Sequence, residues 1–104
     1  MTTARRRLPN RRFSESFDFI SQGMKFTATF SRDADGEVRE IFLRNHKESS
    51  MAGINASDAN VLFSIARQFD VPFDVLQKSL MRNADGSGQG PLAVALDIIA
   101  GRDR

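Results

Sequence analysis

Apolar and polar residues alternate along three stretches in the first half of the chain, a pattern typical of half-buried β-strands. The stretches cover residues 13–20, 24–31 and 38–44, and turn sequences rich in Gly, Asp and Ser separate them. Such short connections join antiparallel neighbours, so the pattern predicts a three-stranded meander with one apolar face. The predicted apolar positions are Phe13, Phe17, Phe19, Met24, Phe26, Ala28, Phe30, Ile41 and Leu43, with Phe42 on the other side.

The next periodic segment has helical spacing and covers residues 58–70. Its apolar residues fall on one helix face and are expected to pack on the sheet. They are Val61, Leu62, Ile65, Ala66 and Phe69. Ser57 is the expected N-cap, with Asp58 in the first turn, and residues 45–55 are expected to form a polar loop.

Two further helices are predicted after this one. Pro72 disfavours helical backbone at the preceding residue and suits the first turn of a new helix over residues 72–81. Pro91 opens the last helix, and Gly101 is expected to end it. The apolar residues predicted to face the core are Phe73, Leu76, Leu80, Leu92, Ala95, Leu96 and Ile99. The order β-β-β-α-α-α predicts an α+β fold with all three helices on one face of the sheet.

Composition limits the classes of protein to which this chain can belong. The 104 residues suit one domain, and the chain contains no Cys, which excludes disulfides, thiolate metal sites and thiol chemistry. No apolar run approaches the length of a membrane span, so we expect a cytoplasmic protein without a membrane partner. Charge is unevenly distributed, because residues 1–12 carry five Arg and no acidic residue. We therefore divide the chain into a basic arm, 1–12, and a single domain, 13–104.

The basic arm is a candidate surface for nucleic acid or for a protein partner. Arginines neutralise phosphates, and each such contact makes affinity more dependent on salt. No aromatic residue is interleaved for base stacking, which favours a structural or partner-facing arm. The candidate residues are Arg5, Arg6, Arg7, Arg11 and Arg12.

A second candidate site combines the end of the third strand with the Gly-rich loop before the last helix. The only histidine can act as a general acid or base, and a Gly-rich loop at a helix N-terminus can hold an anion. The candidate ligand- or partner-binding residues are His46, Lys47, Arg82, Asn83, Asp85, Gly86 and Ser87. The alternatives are a surface histidine and a loop that only connects two helices. Asp33-Ala34-Asp35-Gly36 resembles the start of a calcium loop, but Arg44 stands where the closing acid belongs, so no metal site is predicted.

Several longer phrases are similar to those of a known domain. They are RRLPNRR at 6–12, DG at 35–36 with EIFL at 40–43, SIARQFDVP at 64–72, LQKSL at 76–80 and GPLAVALD at 90–97. The sequence resembles the TSCPD domain, which occurs near the C-terminus of some cobalamin-dependent ribonucleotide reductases and as small stand-alone bacterial proteins. The resemblance covers roughly residues 6–100. The Thr-Ser-Cys-Pro-Asp motif that names the family is absent, and Gly88-Gln89-Gly90-Pro91 stands before the last helix.

The resemblance implies an accessory or regulatory binding domain that is not catalytic by itself. A reductase needs a thiyl radical and redox thiols, and this chain contains no sulfhydryl group. No bound cofactor is expected, and cobalamin would enter only through a separate reductase chain. The expected partners are such a reductase, a nucleotide or a second copy of this chain, because a three-stranded sheet has two edges that pairing can satisfy. Nucleic-acid binding through the arm is the alternative, and an enzymatic use of His46 with the Gly-rich loop stays open.

Overall fold

The fold was obtained as a computed structural model that describes residues 4–5, 13–46 and 51–102. Its elements are β1 (Phe13–Ser21), β2 (Met24–Arg32), β3 (Val38–Asn45), α1 (Met51–Gln68), α2 (Phe73–Ser79) and α3 (Pro91–Arg102). The predicted α+β class and element order are confirmed, with the helices on one face of the sheet. Lys47 and most of the predicted arm, including Arg6, Arg7, Arg11 and Arg12, lie outside the described residues.

The sheet is an antiparallel meander in the order β1-β2-β3. Gln22 and Gly23 connect the first two strands with φ angles of 53° and 73°, the left-handed backbone of a tight two-residue hairpin. The register places Phe19 opposite Phe26, and their rings stack with centroids 5.6 Å apart. The short connections thus predicted the antiparallel order, and alternation along the strands predicted the buried face.

The core lies between this face and the helices. Phe26, Phe30, Ile41, Leu96 and Ile99 are its largest fully buried side chains. Among the predicted inward residues of β1, Phe13 is the exception, since 87% of it is exposed. It pairs with Arg32 at the far end of the β1–β2 ladder.

Helix α1 differs from the prediction in where it begins. It starts at Met51, so residues 51–55 are helical instead of belonging to a polar loop. Ser57 lies inside the helix and is not its N-cap, and Asp58 is not in its first turn. Packing explains the longer helix, because the small side chain of Ala56 is buried in the core. Tertiary burial of this kind overrides a local capping signal.

The predicted apolar face of α1 is also wrong. Val61 is 50% exposed and Leu62 68% exposed, and Ile65 and Phe69 are exposed as well. The helix is rotated so that a largely polar face is buried. The buried residues of α1 are Ala56, Asn60, Phe63, Ser64, Arg67 and Gln68.

The outer edge of β3 accounts for this rotation. Asn60 accepts a hydrogen bond from the Leu43 amide at 3.0 Å, and Ser64 bonds both the amide and the carbonyl of Ile41. Further along the helix, the Arg67 Nε donates to the Val38 carbonyl at 2.7 Å. Buried backbone groups need such partners, so the helix presents polar side chains to the strand instead of its apolar stripe.

This arrangement affects the prediction of a homodimer. That prediction rested on two open sheet edges, and the edge at β3 is covered by α1 within the same chain. Among the described residues, no second strand pairs with the outer edge of β1. A homodimer stays a prediction that now rests on β1 alone.

The two later helices form where they were predicted, but α2 is shorter than the predicted 72–81. Pro72 stands at its N-cap position with extended backbone and no side-chain cap bond, and the helix ends at Ser79. Phe73, Leu76 and Leu80 pack against the core as predicted. Leu92 and Ala95 are buried on α3 along with Leu96 and Ile99. Gly101 lies in the last turn of α3 and does not end it, since the helix continues to Arg102. No helix within the described ranges is long and apolar enough to cross a membrane.

Candidate functional site

The Gly-rich segment before α3 forms a compact hairpin. Arg82 and Gly88 bridge across it, and the Asn83 amide donates to the Ser87 carbonyl at 2.8 Å. Asp85 accepts hydrogen bonds from the backbone and the hydroxyl of Ser87, and these bonds lower its pKa below the ordinary value. Gly86 supplies the positive φ of 88° that the turn requires. The predicted loop residues are thus brought together and bond mainly to one another.

The first residue of this hairpin is held by α2 and α3. The Arg82 guanidinium donates to the Asp97 carboxylate and to the Gln77 carbonyl. The hydrogen bond with Asp97 raises the pKa of Arg82. Burial favours the neutral form of Asp97, but its bonds with Arg82 and Gln77 outweigh burial and lower its pKa. This ion pair fixes the hairpin to α3.

His46 lies on the opposite side of the sheet from the helices. Its Nε2 is 2.7 Å from the Thr27 hydroxyl, which in turn donates to Asp18 at 2.6 Å. The hydrogen bond from Thr27 lowers the pKa of Asp18. The structure therefore separates His46 from the hairpin with which the sequence grouped it, and gives it a hydroxyl and a carboxylate as neighbours.

One arginine of the basic arm, Arg5, is among the described residues. Its Nε donates to the Gln68 side chain at 2.7 Å, near the C-terminal end of α1. This contact agrees with the prediction that the arm has a structural role. Binding of nucleic acid by the arm as a whole stays a prediction.

A cluster of charged side chains that the sequence did not predict joins β3 to the end of α1. Arg39 donates to Asp33 and to Asp70 at 2.9 Å each, while Arg67 donates to Glu37 at 2.9 Å. Burial and the positive charge of Arg39 lower the pKa of Arg67. Because one arginine comes from the sheet and the other from the helix, no local pattern signals the cluster.

Asp33 shows why the resemblance to a calcium loop is only local. One carboxylate oxygen accepts the amides of Asp35 and Glu37, and the other accepts the Arg39 guanidinium. Both oxygens therefore stabilise the turn itself. Within the described part of the chain, no group of three or more acidic or histidine side chains is arranged to hold a metal ion.

An apolar pocket that is partly open to solvent lies between the β1–β2 turn, α1 and the start of α3. We call it the α3 cavity; its volume is about 350 Å³, within the size range of small-molecule sites. Its apolar lining residues are Met24, Phe26, Ala52, Ala56, Ala59, Leu80, Met81, Pro91, Leu92 and Ala93. Ser21, Gln22, Asn55 and Gly90 complete the lining. The sequence did not predict the cavity, although it predicted the Gly-Pro start of α3.

Two of the polar residues that line the α3 cavity, Ser21 and Gln22, lie where β1 ends, and a third, Asn55, lies on α1. The Gln22 side chain donates to the Gln89 carbonyl at 2.7 Å and so holds the β1–β2 turn against the segment that precedes α3. Ser21 is 5% exposed, and its hydroxyl is buried without a hydrogen-bond partner among the described residues. An apolar cavity with a few polar groups in its lining is the usual form of a small-molecule site.

Comparison with known proteins found no matching family model, curated relative or solved structure.

Proposed function

We propose that this chain is an accessory domain that binds a small molecule in the α3 cavity and is not catalytic by itself. The observation that carries this proposal is the cavity of about 350 Å³, whose walls are apolar and whose Ser21 hydroxyl lacks a partner. Binding is favoured over catalysis because Arg82 and Asp85, the charged hairpin groups predicted as a site, already bond within the fold. The accessory role rests on the TSCPD resemblance, which implies a module acting beside a separate reductase chain.

The test is a titration of the isotope-labelled protein with nucleosides, nucleotides and small apolar molecules, followed by amide NMR signals. We expect saturable shifts confined to the residues that line the cavity. Ala52→Leu should abolish them by filling the space, while Ser57→Leu, on an exposed α1 position outside the lining, should leave them unchanged. The proposal fails if no compound shifts the lining residues, or if Ala52→Leu binds as well as the wild type.

The reductase connection has its own test. We expect the chain to co-purify with a cobalamin-dependent ribonucleotide reductase. The reductase should bind cobalamin equally well with and without this chain. Absence of association at high protein concentration would remove the reductase from the proposal and leave the ligand site unaffected.

A further inference from the structure

The N-terminus of α3 forms one end of the α3 cavity. Pro91 has no amide hydrogen, and the first intrahelical bond runs from the Val94 amide to the Gly90 carbonyl at 3.1 Å. The amides of Leu92 and Ala93 therefore precede the helical hydrogen-bond ladder, and both residues line the cavity. The partial positive charge at a helix N-terminus favours an anion or another strong acceptor.

An independent observation at the same end is the Ser21 hydroxyl. Its burial without a partner is unusual, because nearly all buried polar groups in folded proteins form hydrogen bonds. A rotation of the Ser21 side chain toward the cavity would let a bound acceptor remove this cost. The Gln22 bond to the Gln89 carbonyl holds the residue next to Ser21 against the segment that precedes α3.

The charge of the lining limits the ligand further. None of the described lining residues is Asp, Glu, Lys, Arg or His. A phosphate, with close to two negative charges, usually requires arginine or lysine partners. An ammonium group would meet the positive end of a helix and no carboxylate. One delocalised negative charge suits a hydroxyl and two amides.

The remaining walls favour a hydrocarbon body. Met24, Phe26, Leu80 and Met81 surround the space, and methionine adapts readily to apolar ligands of varied shape. Three alanines of α1, at positions 52, 56 and 59, lie on one side of the helix and leave room next to it. The body of the ligand is accordingly apolar and its head is a single acceptor group.

From these observations we infer that the α3 cavity binds an apolar monocarboxylate of medium chain length. Its carboxylate accepts hydrogen bonds from the Ser21 hydroxyl, once that side chain rotates toward the cavity, and from the Leu92 and Ala93 amides. Its chain lies against the α1 alanines. This inference rests on the proposed function and adds the class of ligand.

The test compares three compounds of equal chain length: octanoate, octan-1-ol and octylamine. Each is titrated into the full chain at neutral pH, and the amide signals of Ser21, Leu92 and Ala93 report binding. We expect octanoate to bind about tenfold more tightly than either of the others, a factor that corresponds to about 1.4 kcal/mol. If octan-1-ol binds as tightly as octanoate, the carboxylate is wrong while a ligand cavity stands. If none of the three binds, the apolar monocarboxylate is wrong, and the ligand cavity is decided by the titration with nucleosides and nucleotides described above.

Ser21→Ala tests whether the Ser21 hydroxyl binds the carboxylate of the ligand. Ser21→Ala removes a hydroxyl that has no bond within the fold, so we expect a melting temperature no lower than that of the wild type. Octanoate affinity should fall about fivefold, which is about 1 kcal/mol and matches the net contribution of one hydrogen bond. Unchanged octanoate affinity in Ser21→Ala would overturn the role of Ser21. Ser16→Ala, on the exposed face of β1, is the control and should bind octanoate like the wild type.

Discussion

Ser64 forms two hydrogen bonds with Ile41, accepting from its amide at 3.0 Å and donating to its carbonyl at 3.2 Å. One helix side chain thereby satisfies both backbone groups of a residue on the outer edge of β3, as a neighbouring strand would. Covered edges do not pair with other chains, which protects a small sheet from aggregation.

Ser64→Ala tests whether this contact stabilises the fold. The substitution leaves the buried Ile41 amide and carbonyl without Ser64, so we expect a loss of about 1–3 kcal/mol in the free energy of unfolding. Urea denaturation measures it. Ser57→Ala makes the same chemical change at an exposed position of α1 and should stay within about 0.5 kcal/mol of the wild type. Equal effects of the two substitutions would mean that the edge contact contributes nothing.

Residues 62 and 63 distinguish the observed orientation of α1 from the one that its sequence predicts. Phe63 is buried and packs edge-to-face on Phe73 at 5.9 Å, whereas Leu62 is largely exposed. We expect Phe63→Ala to cost about 3–5 kcal/mol. Leu62→Ala should cost less than about 1 kcal/mol, because little of the side chain is removed from water. Urea denaturation measures both variants. A larger loss of stability for Leu62→Ala than for Phe63→Ala would mean that α1 buries the face that its sequence predicts.

The orientation of α1 shows where reading the sequence succeeds and where it fails. Strand periodicity predicted the buried sides of β2 and β3, since Phe26, Phe30 and Ile41 follow strict alternation and have no polar competitor. The same reasoning failed for α1, because a hydrophobicity scale predicts that Leu62 is buried and Ser64 exposed. Such a scale takes no account of the backbone groups on the outer edge of β3, and Ile41 on that edge is more than 20 residues from Ser64 in sequence. Hydrogen-bond demand over such distances leaves no local signal.

For the candidate site as well, local features were predicted and their assembly in space was not. The turn that holds Ser21 and the Pro91 start of α3 were each predicted from local chemistry. The cavity exists because the fold places them beside the alanines of α1 and Met81, and no single segment contains that information. The charged hairpin residues were predicted as a site, yet the Arg82 guanidinium already forms an ion pair with Asp97 within the fold.

Asp33 makes stability depend on pH through its contact with Arg39. Burial alone would raise its pKa, but the Arg39 side chain and the Glu37 and Asp35 amides outweigh burial and place the pKa below the ordinary value of 3.8. A carboxylate whose pKa is lower in the folded state stabilises the fold above the unfolded pKa. That stabilisation is lost as the pH falls through the folded pKa.

We therefore expect Asp33→Asn to be less stable than the wild type at pH 6, and the difference to shrink as the pH falls below about 4. Urea unfolding at a series of pH values measures it. Asp35→Asn removes a charge from the same turn without touching Arg39, and at pH 6 it should resemble the wild type. A difference between Asp33→Asn and wild type that is constant from pH 6 to pH 2 would show that the charge of Asp33 is not responsible.

On the outer face of the sheet, the Thr27 hydroxyl has a single proton, which it donates to Asp18. Toward His46 the same oxygen must accept, so the Nε2 of His46, 2.7 Å away, carries the hydrogen. The imidazole ¹⁵N shifts of His46 should show a protonated Nε2 at neutral pH. In this arrangement the imidazole donates to the threonine oxygen, so His46 does not serve as the base that takes the Thr27 proton.

Thr27→Val removes the largest cause of the low pKa of Asp18, so that pKa should rise toward 3.8 in an NMR titration of the side-chain carboxyl carbon. Thr29→Val is the matched control. It removes a threonine hydroxyl from the same strand and face, but the partner of Thr29 is the Ser16 hydroxyl and not an acid. If both variants shift the pKa of Asp18 equally, the cause is a general change of the sheet surface. A shift in Thr27→Val alone, with an accompanying change in the ¹⁵N shift of His46 Nε2, would establish the Asp18–Thr27–His46 chain of hydrogen bonds in solution.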